Sequence, residues 1–108
     1  MKKGDVCRVV LPLGVGSEQY GERPAIVVAQ ATRNFIIVIP LTSSQGALRF
    51  PHTLVIPPTT TNGLKENSVA LIFHLRSIAT SRVIKSIGTI DSKIKAQLTR
   101  ITKTMLGP

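Results

Sequence analysis

Three stretches of this sequence carry side chains that could act on a phosphodiester. The first is Gly16-Ser17-Glu18-Gln19-Tyr20-Gly21-Glu22-Arg23, which gathers a hydroxyl, an amide, a phenol, carboxylates and a guanidinium around two glycines. Glycine lets backbone N–H groups approach a phosphate closely, although a polar surface turn has the same composition. Arg23 stands where this loop enters an apolar run, so the scaffold, not solvent, would hold its guanidinium. A fixed guanidinium binds phosphate in two places at once and offsets charge during phosphoryl transfer; the competing use is an ion pair with Glu18 or Glu22. The second stretch, Thr42-Ser43-Ser44-Gln45, follows the apolar Pro40-Leu41. Its hydroxyls suit phosphate oxygens or a base edge, and they equally suit a turn. The third is Arg76, directly after Phe73-His74-Leu75.

Other chemistries find no support. There is no Ser-His-Asp pattern, nucleotide-binding glycine loop or catalytic carboxylate pair. His52 and His74 are isolated, and no Cys/His/carboxylate cluster has metal-ligand spacing, so neither a metal nor another cofactor is expected. What these groups could serve is a reaction in which RNA supplies its own nucleophile. The 2′-hydroxyl attacks the adjacent phosphorus in line, leaving a 2′,3′-cyclic phosphate and a 5′-hydroxyl. The protein need only position the backbone, accept a proton and offset charge.

The charge balance agrees with a polyanionic partner. Fourteen Lys and Arg against five Asp and Glu give +9. Residues 1–75 hold seven basic and four acidic groups, whereas residues 76–108 hold seven basic groups and one acid, Asp91. Such a surplus in a short chain favours nucleic acid, against the alternative of a merely solubilising cationic surface. Charge alone does not separate RNA from DNA, an anionic membrane or an acidic protein.

The elements that would position these groups are mostly strands. With 43% apolar residues in 108, the chain is long enough for one core and too short for two domains. Asp5 to Pro12 is β-branched and ends at proline, and Leu13 to Glu22 is a glycine-containing loop. Arg23 to Ala29 opens with Pro24, where a missing N–H does least harm. Phe35 to Leu41 is apolar on both faces and reads as a central, doubly buried strand. Thr53 to Ile56, Ser68 to His74 and Arg82 to Gly88 give further strands, with turns at Pro57 to Gly63. Phe35, Phe50 and Phe73 are the large rings expected in an otherwise aliphatic core. Asp91 or Ser92 should cap a helix through Leu106 that stops at Gly107. Its apolar stripe is Ile94, Leu98, Ile101 and Met105; the basic residues beside it could lie on nucleic acid, but core packing is the usual role. Short strands closed by one helix suggest a small barrel spanning residues 1–108 as one domain.

The N-terminus has a basic start without a following apolar stretch, so no signal peptide is expected. The longest apolar run is far too short to cross a bilayer. A lone Cys7 fits a reducing cytoplasm and reads as a packing residue, not a nucleophile.

The sequence resembles the MazF/PemK family of toxin endoribonucleases. The resemblance lies in Gly4-Asp5-Val6, Gly16-Ser17-Glu18-Gln19, Gly21, and Arg23-Pro24-Ala25-Ile26-Val27-Val28. It continues in Ile39-Pro40-Leu41-Thr42-Ser43, Asn62-Gly63-Leu64-Lys65, Ser68-Val69-Ala70-Leu71, Leu75-Arg76-Ser77-Ile78, Ser81-Arg82 and Ile87-Gly88. These blocks run in the family's order over nearly the whole chain. The resemblance implies an SH3-like barrel with a C-terminal helix, acting in the cytoplasm as a homodimer. It implies metal-independent, sequence-specific cleavage of single-stranded RNA, and inhibition by a cognate antitoxin. By position, Arg23 and Thr42 match the family's catalytic arginine and threonine, and Glu18 its supporting loop glutamate. Glu18 is either the base or the residue that orients Arg23. Ser17, Gln19, Ser43, Arg76 and His74 match positions near the RNA groove. Some members instead use an arginine and an aspartate at the positions of Leu71 and Phe73, which argues for the Arg23–Thr42 version here. The rival readings are a gyrase-inhibiting toxin of the same fold and a basic barrel that only binds RNA.

Overall fold

The computed structural model describes residues 1–12 and 21–107. Seven strands precede one helix: β1 (Asp5–Leu11), β2 (Gly21–Gln30), β3 (Phe35–Thr42), β4 (Thr53–Ile56), β5 (Ser68–Leu71), β6 (Arg76–Ala79), β7 (Val83–Thr89) and α1 (Ser92–Leu106). All pairings are antiparallel, in the order β4-β5-β3-β2-β1-β7, with β6 added to β3. The expected class, mainly β with a C-terminal helix, is borne out.

β3 organises the sheet. Ile36 to Pro40 pair with β2, the first half of the strand pairs with β6 (Val38 opposite Arg76), and its end pairs with β5 (Thr42 opposite Val69). Strand alternation sends its side chains to two separate cores. Ile36 and Val38 join Cys7, Val9, Ala25, Val27 and Ile78 in one cluster. Ile39 and Leu41 join Val6, Ile26, Ile56, Ala70, Ile72 and Leu98 in the other. The first cluster is enclosed by both ends of the curled sheet, because Ile78 of β6 belongs to it and Val83 of β7 packs on it. That closure makes the barrel; α1 and the β4–β5 hairpin cover the second cluster.

α1 forms as its sequence dictates. The Asp91 side chain accepts from the Ile94 N–H at 2.8 Å, and Gly107 ends the helix at φ 93°. Leu98 is buried, with Ile94, Ile101 and Met105 packed beside it. The helix is therefore a core-packing element, and no described helix is long and apolar enough to cross a membrane.

Three expectations need correction. Ser68 to His74 is not one strand: β5 ends at Leu71, and Ile72–His74 forms a 3₁₀ turn. The Ile72 N–H still donates to the His52 carbonyl at 3.0 Å, in the register that sets Leu71 opposite Thr53, but His52 has φ 59° and the Leu75 N–H folds back to the Ile72 carbonyl at 3.0 Å, so the chain turns there. The strand β6 that follows was not foreseen. Nor do the phenylalanines fill the core: Phe35, Phe50 and Phe73 are 46%, 41% and 36% exposed, and the two clusters are built mainly of Val, Ile and Leu with Ala and Cys7 between them.

The turn after β4 is built on one side chain. Asn62, 3% exposed, accepts from the Thr59 and Leu64 N–H groups at 3.0 Å each and donates to the Pro57 carbonyl at 3.0 Å. Gly63 beside it has φ 70°, and a Cβ there would strike the Ile87 carbonyl. The Thr89 N–H donates to the Thr61 carbonyl at 2.9 Å, fastening this turn to β7.

Candidate active site at the barrel mouth

Register brings the key residues together. In β1 and β2, Val9 faces Arg23; in β2 and β3, Ala25 faces Pro40. The β2–β3 ladder ends at Ala25–Pro40; Arg23 stands two residues beyond that pair on β2, and Thr42 two residues beyond it on β3, where it pairs with Val69 of β5. Alternation places Arg23 on the face of Ala25 and Val27, and Thr42 on that of Val38 and Pro40. This is the barrel-interior face, and both residues lie at its open end. Arg76 faces Val38 in the same ladder and shares a face with buried Ile78. It enters from the third strand, four positions back along β3 from Thr42, on the order of 13 Å.

Each side chain is held differently. Arg23 is half-buried, which limits its freedom. Glu22, one of the carboxylates considered as its partner, points to the other face and accepts from Arg8 Nε at 3.0 Å. That pair is 37% and 56% exposed and contributes little stability. Thr42 is 8% exposed, and its Oγ1 accepts the Ser44 N–H at 3.2 Å. The hydroxyl is thus fixed in place while its own hydrogen remains to be given. Ser43 is exposed beside it. Gln45 ties this corner to the β5 side by donating to the Asn67 carbonyl at 3.2 Å.

A surface that the sequence did not suggest lies before β6. Arg49 stacks over the Phe50 ring at 4.6 Å, Phe50 lies 5.5 Å from Phe73, and Phe73 lies 4.4 Å from His74. This run of cation and rings leads into Arg76 two residues on. The available signal was the pairing of Arg49-Phe50 with Phe73-His74, each a ring beside a basic residue.

Arg23, Thr42 and Arg76 thus share one face, and Ser43 sits at its edge. His74 belongs to the aromatic surface. Ser17, Glu18 and Gln19 lie outside the described residues. No group of three His, Cys, Asp or Glu side chains suited to a metal ion occurs among the described residues. Cys7 is fully buried, 3.6 Å from the Met1 sulfur, and burial followed by the charge of Asp5 pushes its thiol pKa up. It has the character of a packing residue.

The model of the PemK-like, MazF-like toxins of type II toxin–antitoxin systems matches residues 2–106. The chain belongs to this toxin family. Among curated proteins, endoribonuclease MazF9 of Mycobacterium tuberculosis is 36% identical, over 98% of this chain and 96% of that protein. Crystalline MazF from Deinococcus radiodurans superposes with a TM-score of 0.80 at 24% identity, covering all of this chain and 97% of that one. A mycobacterial endoribonuclease solved in complex with its cognate antitoxin gives 0.70 at 15% identity, over 99% and 93% of the two chains. At those identities the solved structures speak for the fold, whereas the family match identifies this PemK/MazF-like toxin.

Proposed function

We propose that this toxin is a sequence-specific endoribonuclease that cleaves single-stranded RNA by activating the RNA's own 2′-hydroxyl. The observation that carries this reading is the β2–β3 register, which brings Arg23 and Thr42, each two residues beyond the Ala25–Pro40 pair, to the same end of the barrel. The 2′-oxygen loses its proton as it attacks phosphorus, the bond to the 5′-oxygen breaks and that oxygen takes a proton from solvent, so the products are a 2′,3′-cyclic phosphate and a 5′-hydroxyl. Arg23 clamps the phosphate as negative charge builds on its oxygens; a guanidinium stays charged, so electrostatic stabilisation suits it better than proton donation. Thr42 gives its hydroxyl hydrogen to a phosphate oxygen. Glu18 takes the 2′-proton or orients Arg23. Ser17, Gln19 and Ser43 contact the strand, and Arg76 holds a neighbouring phosphate. His74 and Phe73 offer rings on which a base can stack.

The strongly basic surface suits both RNA and an acidic antitoxin. The toxin works in the cytoplasm as a homodimer, inhibited by a cognate antitoxin. Neither the cleavage reaction nor its specificity calls for a cofactor in this scheme.

The test is incubation of the purified protein with a long single-stranded RNA in EDTA, followed by mapping of the ends. Discrete cuts with cyclic phosphate ends are expected, falling by a factor on the order of 10² to 10³ in Arg23→Ala and Thr42→Ala. Intact RNA with a folded, antitoxin-free protein would refute the reading; salt-sensitive binding without cleavage would then point to an RNA-binding barrel.

A further inference from the structure

Between Ser92 and Leu106 the chain has four basic side chains, Lys93, Lys95, Arg100 and Lys103, and neither aspartate nor glutamate. At 3.6 residues per turn, Lys93, Arg100 and Lys103 fall on the side away from the stripe of Ile94, Leu98, Ile101 and Met105 that packs on the core. All three are exposed. Lys95 stands at the edge of that side, its stem laid across Gly4 and its tip carried outward. A fifth cation comes from outside the helix: Lys3 Nζ donates to Thr99 Oγ1 at 3.1 Å, one turn from both Lys95 and Lys103. Lys95, the Lys3 ammonium and Lys103 thus form a row with steps of about 6 Å along the axis, close to the separation of successive phosphates on one nucleic acid strand. Lys93 and Arg100 form a second line, with the small, exposed Ala96 between the two.

The described residues leave this charge without a counter-ion. None of the five cations has a carboxylate partner among them; the ion pair they form is Arg8 with Glu22. Asp5 accepts from the Lys2 backbone N–H at 3.0 Å, and Asp91 is turned to the Ile94 N–H as the helix cap. Lys93 and Lys95 also stand in the first turn, which has no acid and where the helix dipole disfavours a cation. Arg100 and Lys103 repel each other three residues apart. A polyanion laid over α1 relieves both conflicts.

The chemistry of the helix selects among polyanions. α1 has no aromatic residue, so it gives a single strand no ring to stack on. Its apolar stripe is committed to the core, so it has no face left to sink into a lipid interface. What it presents is a straight cationic ridge, matched to the regularly spaced phosphates beside a groove of a duplex, which is read by shape and charge.

We infer that the outer face of α1 is a docking site for double-stranded RNA. Lys95, Lys3 and Lys103 follow the phosphates of one strand, and Lys93 and Arg100 reach those across the groove. The choice of RNA over DNA rests on the reading of RNA as the substrate. α1 packs on Ile26 and Ile39, the face of the β2–β3 pair opposite Ala25, Val27 and Val38. A folded RNA is therefore held by a stem at α1 without covering the barrel mouth, where an unpaired segment is cut.

The experiment uses the whole protein and a fluorescein-labelled, blunt twenty-base-pair RNA duplex, read by fluorescence anisotropy. Saturable binding is expected, falling by a factor of about 10² to 10³ between roughly 50 and 200 mM salt for five phosphate contacts. Arg100→Ala/Lys103→Ala, at positions where alanine maintains the helix, should flatten the log–log salt slope by about two and weaken binding about tenfold or more. Lys65→Ala/Lys85→Ala removes the same charge at exposed positions off α1 and should alter binding less than about twofold. A blunt DNA duplex should bind at least about threefold more weakly. Melting curves verify that each variant folds. Cleavage of a short unpaired RNA is scored on the same proteins and should be unchanged in both double variants. A protein that binds the duplex in this way but cuts no RNA would refute the cleavage reading and leave the docking site standing. The inference is overturned if the RNA duplex does not bind, if both double variants weaken binding alike, or if the DNA duplex binds as tightly. It is also overturned if poly-glutamate displaces the duplex at equal charge concentration, or if sedimentation shows a dimer that Arg100→Ala/Lys103→Ala dissociates.

Discussion

Asn62→Ala should remove about 3 kcal/mol of stability while leaving the barrel mouth intact. The side chain is 3% exposed and makes three bonds to backbone: it accepts from Thr59 and Leu64 and donates to Pro57. The Leu64 N–H is buried, so losing its acceptor costs about 1–3 kcal/mol. Thr59 and Pro57 are exposed, and water recovers part of what each loses, leaving roughly 0.5 kcal/mol apiece. Collapse of the turn from β7, where Thr61 accepts from Thr89, adds to the loss. For a domain of this size 1 kcal/mol moves the melting temperature by about 4–8 °C, so about 3 kcal/mol corresponds to a fall of roughly 12–24 °C. Thermal and urea unfolding followed by circular dichroism measure it. Asn62→Asp keeps both acceptor bonds and loses only the donor to Pro57, so it should fall between the two. A drop of less than about 4 °C in the alanine variant, equivalent to about 1 kcal/mol, would refute the assignment of Asn62 as the keystone of the turn.

Other changes separate stability from chemistry. Thr42→Val preserves shape and loses one partly buried hydrogen bond, so it should cost about 1 kcal/mol in unfolding but about 10² to 10³ in RNA cleavage; unchanged cleavage would remove Thr42 from the mechanism. Gly63→Ala forces a side chain into left-handed backbone against the Ile87 carbonyl and should cost more than about 2 kcal/mol. Gly46→Ala, whose nearest neighbour would be 3.7 Å away, should stay within about 0.5 kcal/mol in the same denaturation assay. Cys7 should react with iodoacetamide at pH 8 at least about a hundredfold slower in the folded protein than in urea, because burial raises its pKa and hides the sulfur. A raised thiol pKa favours the neutral form. Its share of stability is therefore full below the unfolded thiol's pKa and lost as pH climbs through the folded one, so the melting temperature should decline above about pH 9. Equal alkylation rates in the two states would overturn this reading.

Much of the scaffold was legible because the residues themselves enforce it. Phe35 to Leu41 reads as a strand buried on both sides, which holds past the exposed Phe35, and Asp91 with Gly107 marks the helix ends with residues that cap for stated reasons. β6 was hidden because Arg76–Ala79 is four residues long, and its pairing is set by β3, forty residues earlier. The exposed rings were misread because hydrophobicity gives a tendency to bury and not an address. With aliphatic residues filling most of both clusters, Phe50 and Phe73 meet each other at the surface, beside the Arg49 guanidinium and the His74 ring. Arg23 and Thr42 could be singled out separately as a loop-to-strand arginine and a strand-end hydroxyl. Their juxtaposition depends on inter-strand register, which neither local sequence contains.

The sharing of β3 between β2, β5 and β6 has a consequence for how the gene can vary. Side chains alternate with a period of two, so loss or gain of one codon between Val38 and Thr42 would not shift the site by one step along the strand. It would turn Thr42 to the face now held by Leu41, break its pairing with Val69 and change its offset from the Val38–Arg76 and Ala25–Pro40 pairs at once. A point substitution within β3 leaves the register of its neighbours in place, whereas a single-residue gap there ends both fold and site. Length variation among descendants of this sequence should therefore collect in the connections and leave residues 36–42 at constant spacing.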